Sequence, residues 1–178
     1  MNSLTHANLE IPFFTDELLN KLKPYAISAH NAGVYQWCPP GGIGLSYLTD
    51  GLYELVKEFT DDIMVDWRQP PTFAITSPNT WLYKHIDSFG IYSKILIPIL
   101  PETDFQPCPY HHPSGDVELV HMKLHQPVLM DTYIEHGGYT TNNNIRATLQ
   151  FTFNIRIDEV IAAIKEKRFT RTLECNLL

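Results

Sequence analysis

Four residues carry the chemistry that this chain could do: His85, Asp87, His136 and Arg146. His85 and Asp87 stand two apart, so in an extended segment their side chains point to the same side and can reach one ion. His136 must come from another strand lying opposite. Two imidazoles and one carboxylate on one face of an octahedral Fe(II) leave three positions open for further ligands. Arg146 offers a planar fork that takes a carboxylate through two hydrogen bonds. The expectation is a metal site of His85, Asp87 and His136, with Arg146 holding the acid tail of a co-substrate.

The strand that presents Arg146 is the cleanest in the chain. Ile145, Ala147, Leu149, Phe151, Phe153 and Ile155 make one set, and Arg146, Thr148, Gln150, Thr152 and Asn154 the other. Side chains alternate across a strand, so one face is apolar and the other polar. The polar face looks into a barrel mouth or out to water, and Arg146 with Thr148 forms a short patch suited to a carboxylate. Between His136 and this strand, Gly137-Gly138 lets the chain turn without Cβ clashes, and Thr140 to Asn144 is polar and turn-like.

The other elements read as a scaffold. Residues 1 to 14 are an extended lead-in. Thr15 caps a helix with Leu18, Leu19 and Leu22 on one face, and Pro24 is expected to stop it or make it restart toward Ala29. A second helix is expected from Asp50 to about Phe59, with Asp61-Asp62 a solvated end. Short β-like runs follow: Thr72 to Thr76, Thr80 to His85, Ser93 to Leu100, Val117 to Leu124, Val128 to Ile134 and Ile145 to Ile155. Pro101 to Gly115 is a loop by composition, and a last helix spans Asp158 to Lys167. Helices, many strands, then one helix suit a mainly β fold, a double-stranded β-helix or jelly-roll of cupin-like form with flanking helices. One domain over 1–178 is expected: a helical part in 1–70 packing on the sheet, a jelly-roll core in 71–157, and a helix and tail in 158–178.

Composition bounds the function. The chain has 178 residues, 44% hydrophobic and 19% charged, which is globular rather than disordered. A formal charge of −7 argues against nucleic acid as a partner. The basic cluster Lys165, Lys167, Arg168 and Arg171 reads as a solvated helix end. Cys38, Cys108 and Cys175 form no CxxC pair, so reduced thiols in a cytoplasm are expected. Neither a signal peptide nor a membrane-spanning run is evident. The sequence leaves oligomeric state open.

Other chemistry competes for these residues. Either histidine alone reads as a hydrogen-bonded core residue; it is the combination with Asp87 and Arg146 that points to a site. Asp131 reads as structural, holding a turn or a backbone amide. A zinc site of His111, His121 and His125 is conceivable, without the HExxH or cysteine pair that would support it. Cys38 and Cys108 are weak nucleophile candidates. The Gly-rich loop 33–48 lacks the signature of a phosphate cradle. That loop, with Tyr35 and Trp37, and the loop 101–115, with His111 and His112, are candidates for the substrate mouth, as are Tyr83 and Tyr92.

His85-Ile86-Asp87, then Asp131-Thr132 with His136, then Arg146-Ala147-Thr148 resembles the Fe(II)- and 2-oxoglutarate-dependent dioxygenases. Val120-His121-Met122 through Phe151 is most similar to their aspartyl/asparaginyl hydroxylase branch, which includes free-proline hydroxylases. The resemblance covers roughly Trp81 to Phe153. It implies His85, Asp87 and His136 as iron ligands, Arg146 on the distal carboxylate of 2-oxoglutarate with Thr148 as hydroxyl partner, and O2 as co-substrate. The implied reaction is hydroxylation of an amino acid, a peptide or protein side chain, or another small molecule. The alternatives are a non-catalytic cupin-like metal or ligand-binding module and a zinc hydrolase.

Overall fold

A computed structural model describes residues 4–33, 43–63, 67–87, 90–101 and 105–178. Tyr35, Trp37 and the Gly-rich turn 38–42 of the expected mouth lie outside the described residues. In chain order the elements are β1 (His6–Glu10), α1 (Asp16–Ala32), β2 (Ile43–Tyr47), α2 (Asp50–Asp62), β3 (Trp67–Thr76), β4 (Trp81–Leu82) and β5 (Ser93–Leu100). There follow β6 (Cys108–His111), β7 (Val117–Val120), β8 (Val128–Asp131), β9 (Tyr139–Thr140), β10 (Arg146–Phe153), α3 (Ile157–Lys165) and β11 (Asn176–Leu177).

Seven strands pair antiparallel in the order β11-β1-β8-β5-β10-β3-β2. The pairs β4–β9 and β6–β7 form a smaller second layer, joined by the isolated bridges His85 to His136 and Tyr110 to His136. This is the expected jelly-roll, with helices on the outer face of the large sheet. No helix is long and apolar enough to cross a membrane among the described residues.

Alternation sorts the side chains into two cores. Ile95, Ile97 and Ile99 of β5, and Ala147, Leu149, Phe151 and Phe153 of β10, meet the buried faces of α1, α2 and α3. Phe14, Phe59 and Phe151 interlock there, with ring centroids 4.7 to 5.4 Å apart. The opposite face of the sheet looks between the two layers. Leu96, Val128 and Met130 pack there against Cys108, Tyr110, Val120 and Met122.

Several expectations change. Helix α1 runs unbroken through Pro24, because that residue lies on the exposed side while Leu19, Leu22 and Ala26 on the buried side hold the helix to the core. The lead-in contains β1, which pairs with β8, and the segment 33–48 contains β2. The loop 101–115 contains β6. Pro109 fits that strand because its carbonyl still accepts a bond from Gly137 N–H at 3.0 Å, and Tyr110 beside it is fully buried. The runs expected over Thr80–His85, Val117–Leu124 and Val128–Ile134 are shorter, as β4, β7 and β8. Helix α2 extends past Phe59 to Asp62, and Asp62 is not solvated. It is buried, and its carboxylate accepts the backbone N–H groups of Arg171, Thr172 and Leu173 at 2.8 to 2.9 Å. Burial works to raise its pKa, and these donors outweigh it and hold the group below its ordinary value.

Candidate metal centre and carboxylate pocket

His85 and His136 lie opposite one another across the small layer. Each backbone N–H donates to the other's carbonyl at 2.9 Å, and the rings sit 4.4 Å apart. The sharp exit after His136 comes from Gly137 and Gly138, both at positive φ, as the Gly-Gly pair predicts. Asp87 reaches the same place from the segment after the bridge, its backbone N–H bonded to the Thr132 carbonyl at 3.0 Å. One ligand atom from each of His85, Asp87 and His136 can be chosen so that all lie within 4.8 Å of one another. Among the described residues no other group of His, Cys, Asp or Glu gathers in this way.

The rings are set for coordination. Nδ1 of His85 lies 2.9 Å from the Tyr83 carbonyl, and Nδ1 of His136 lies 2.9 Å from the Ile134 carbonyl. A carbonyl only accepts, so Nδ1 donates in each ring and Nε2 is the nitrogen left for coordination. Burial pushes the His136 pKa down to about 4, against the pull of the Asp87 charge, which keeps the imidazole neutral near pH 7. Burial works to raise the Asp87 pKa, but Lys94, His136 and His85 together hold it below its ordinary value. Two imidazole nitrogens and a carboxylate fit a hard-to-borderline divalent ion.

Arg146 opens β10 on the inner face. Its guanidinium carbon lies 4.5 Å from the Phe105 ring centre and 5.7 Å from that of Tyr139. Among the described residues it makes no ion pair, and its buried Nε has no hydrogen-bond partner. Thr148, Gln150 and Thr152 continue the same face and are buried, so the polar side of this strand looks into the barrel rather than to water. The Thr148 hydroxyl accepts from the Gln150 amide at 3.5 Å. Thr72 Oγ1, Tyr139 OH, Gln150 Oε1 and Thr152 Oγ1 are buried without partners. Buried polar atoms are rarely left so, and these would be satisfied by a polar guest between the layers. Burial pushes the Cys108 thiol up in pKa, and the charges of Arg146, which lowers it, and Asp87, which raises it, both bear on it.

The other histidines do not converge. Nε2 of His111 donates to the Gly137 carbonyl at 2.8 Å, and His121 is exposed. His125 takes a left-handed turn and pairs with Asp16 at 2.6 Å, because the strand expected to carry both histidines ends at Val120, before His121. The zinc site of His111, His121 and His125 is therefore not assembled. His112 pairs with Glu118 at 3.2 Å. Cys108 has no imidazole partner. Asp131 is structural as expected: Oδ1 accepts from Tyr133 N–H at 2.8 Å and Oδ2 pairs with Arg156 at 3.0 Å. Tyr83 is exposed next to His85, and the Tyr92 ring lies 5.6 Å from that of Tyr133.

Three site residues escape sequence reasoning. Tyr110 stacks on His136 at 5.6 Å and donates from its hydroxyl to the Asp131 carbonyl at 2.6 Å. Tyr139 walls the Arg146 pocket. Lys94 pairs with Asp87 at 2.7 Å, and its only sequence signal is a charge inside the apolar run Ser93 to Leu100.

No protein-family model matches the chain, and comparison with curated proteins gives no match. Solved structures do resemble it. A prolyl hydroxylase from Trichoplax adhaerens, in complex with a hypoxia inducible factor oxygen degradation domain peptide fragment, superposes with a TM-score of 0.66 at 11% identity, covering 94% of this chain and 87% of that one. A Pseudomonas putida prolyl-4-hydroxylase gives 0.60 at 12% identity, covering 86% and 94%. A viral collagen prolyl hydroxylase from Paramecium Bursaria Chlorella virus-1, as a 2-oxoglutarate complex, gives 0.54 at 12% identity, covering 85% and 98%. At these identities the likeness is one of fold: the chain is a double-stranded β-helix of the kind those oxygenases have.

Proposed function

We propose that the chain, as a single domain, is an Fe(II)- and 2-oxoglutarate-dependent dioxygenase that hydroxylates an amino acid, a peptide or protein side chain, or another small molecule. The observation that carries this reading is the three-ligand group His85, Asp87 and His136, with Arg146 on the inner face of β10 making no ion pair with a described residue.

His85 and His136 would offer Nε2 and Asp87 a carboxylate oxygen, leaving one side of the ion free. Arg146 would hold the distal carboxylate of 2-oxoglutarate, with Thr148 as its hydroxyl neighbour and the Phe105 and Tyr139 rings keeping water from the ion pair. Bound Fe(II) supplies the activation of O2 that couples decarboxylation of 2-oxoglutarate, to succinate and CO2, to hydroxylation of a C–H bond. The protein orients the partners and keeps bulk water out.

Two supports bear on the substrate and point to different branches. The segment Val120 to Phe151 resembles aspartyl/asparaginyl and free-proline hydroxylases, whereas the similar solved structures are prolyl hydroxylases, one with a peptide bound. A peptide or small amino acid suits both. The cytoplasm suits Cys108 and Cys175, which are unpaired thiols. A cupin-like binding module would give Arg146, half-buried and without an ion-pair partner among the described residues, no task, which disfavours that alternative.

The test is succinate formation with Fe(II), 2-oxoglutarate and ascorbate, using a panel of free amino acids and of proline-, aspartate- and asparagine-containing peptides. The expected result is succinate that requires both Fe(II) and 2-oxoglutarate and rises with one substrate class. Confirmed iron binding with no turnover, coupled or uncoupled, would overturn the enzyme reading in favour of a binding module.

A further inference from the structure

Resting on the metal reading of this site, we infer that Lys94 is the positioning residue of the metal centre: it anchors one carboxylate oxygen of Asp87 so that the other is presented to the ion. The two oxygens are already divided. Oδ1 lies 3.8 Å from Nε2 of His85, on the ligand side, and Oδ2 lies 2.7 Å from the Lys94 ammonium.

The three candidate ligands are not held equally. His85 and His136 are fixed to each other by a bridge of two backbone hydrogen bonds, and each ring is fixed by its own Nδ1 bond. Among the described residues Asp87 has one backbone bond, to Thr132, and it belongs to no strand. Its side chain needs an anchor from elsewhere. Lys94 provides one from the best-braced part of the fold. It sits on β5 between β8 and β10, paired with Met130 on one side and Thr152 on the other. Ser93 beside it donates to the Ile155 carbonyl at 2.8 Å. The Lys94 side chain is 14% exposed, and Asp87 is the only carboxylate within ion-pair distance of it among the described residues.

Two effects of opposite sign follow from an ammonium beside a metal ligand. Charge repulsion would weaken metal binding, and ligand anchoring would strengthen it, outer-shell partners being worth about 10- to 100-fold in affinity. Anchoring wins here, because the ammonium contacts the oxygen other than the one nearest His85, and among the described residues no other cation pairs with that oxygen.

The probe is Co(II), titrated without oxygen into the wild type, Lys94→Met and Lys94→Arg, and read by its visible absorption bands. Lys94→Met is expected to lower Co(II) affinity about tenfold or more and to alter the band pattern, and Lys94→Arg to restore most of the affinity. In an Asp87→Ala background the Lys94→Met effect should vanish. Equal or tighter binding by Lys94→Met would overturn the inference, making Lys94 a counter-ion that the metal displaces. Persistence of its effect without Asp87 would overturn it too. If Lys94→Met does not fold, Lys94→Gln takes the same titration with the same expected loss. Wild type that binds no Co(II) would sink the metal reading itself, whereas binding wild type with an unaffected Lys94 variant sinks only this inference.

Discussion

His85 and His136 exchange backbone hydrogen bonds at 2.9 Å in both directions, so the segments that bring the two imidazoles together are clamped by the main chain. The pair is preformed by folding. Metal binding then needs no rearrangement of these two ligands, and perturbing either strand should be felt at the site before it is felt in the core.

Acid should reveal the buried state of His136. Its pKa is about 4 in the fold against 6.5 for an ordinary imidazole. Between those values the unfolded chain binds a proton that the folded chain does not, so stability falls as pH drops through this window and levels off below it. Asp87 and Asp62, both held below 3.8, lose their stabilising contributions only at lower pH still. Urea midpoints of the metal-free protein from about pH 7 down to about pH 4 should decline, and His136→Gln should flatten the decline. A flat wild-type profile would contradict the burial argument.

Gly137→Ala should damage the site more than its size suggests. Gly137 has φ of 92°, and a Cβ there would collide with the Tyr83 carbonyl, the same atom that accepts from His85 Nδ1. A loss of about 2 kcal/mol or more is expected, with weaker metal binding. Thermal unfolding and Co(II) titration check both; an Ala variant that binds Co(II) like the wild type would show that the collision is relieved without moving Tyr83.

Arg146→Met keeps the reach of the side chain and removes its charge. Loss of charged hydrogen bonds to a carboxylate should cost about 2 kcal/mol, near 30-fold in 2-oxoglutarate affinity, with little change in metal affinity. Calorimetric titration of 2-oxoglutarate into Mn(II)-loaded protein separates the two. Equal losses of both would make Arg146 structural.

Asp62→Asn should loosen the C-terminal segment. The carboxylate collects three backbone N–H groups and the Thr172 hydroxyl, 3.2 Å away. Hydrogen bonds to a charged group contribute about 2 kcal/mol, so the urea midpoint should fall and amide exchange at 171–173 should quicken. Unchanged exchange there would show that β11 and Phe169 hold the segment without Asp62.

Residues with a local signature were legible in the sequence. The apolar run Ser93–Leu100 and the period of two in the strand of Arg146 located β5 and β10, and the spacing of His85, Asp87 and His136 located three residues that the fold gathers. What was illegible depends on cross-strand neighbours. Proline content disguised β6, since composition does not say that Pro109 occupies a position where no N–H is required. Helix α1 survives Pro24 because burial of the far face outweighs a local penalty. Lys94 and Tyr139 each meet a partner seven residues away at a separation that no strand or helix period marks, Tyr110 meets His136 from a separate strand, and Asp62 looked solvated because the segment it caps begins over a hundred residues later.

The inner face of β10 has one more consequence, which concerns the economy of the fold itself. Thr152 Oγ1, Gln150 Oε1 and Thr72 Oγ1 are buried with no hydrogen-bond partner among the described residues. Each such atom, where it stays unpaired, destabilises the fold by about 1 to 3 kcal/mol relative to an apolar group of the same shape. Thr152→Val or Thr72→Val should therefore make the protein harder to unfold while making its interior a poorer host for an oxygen-rich guest. The natural sequence sits on the less stable, more receptive side of that trade-off, as expected where a scaffold is kept for what it holds rather than for its own durability.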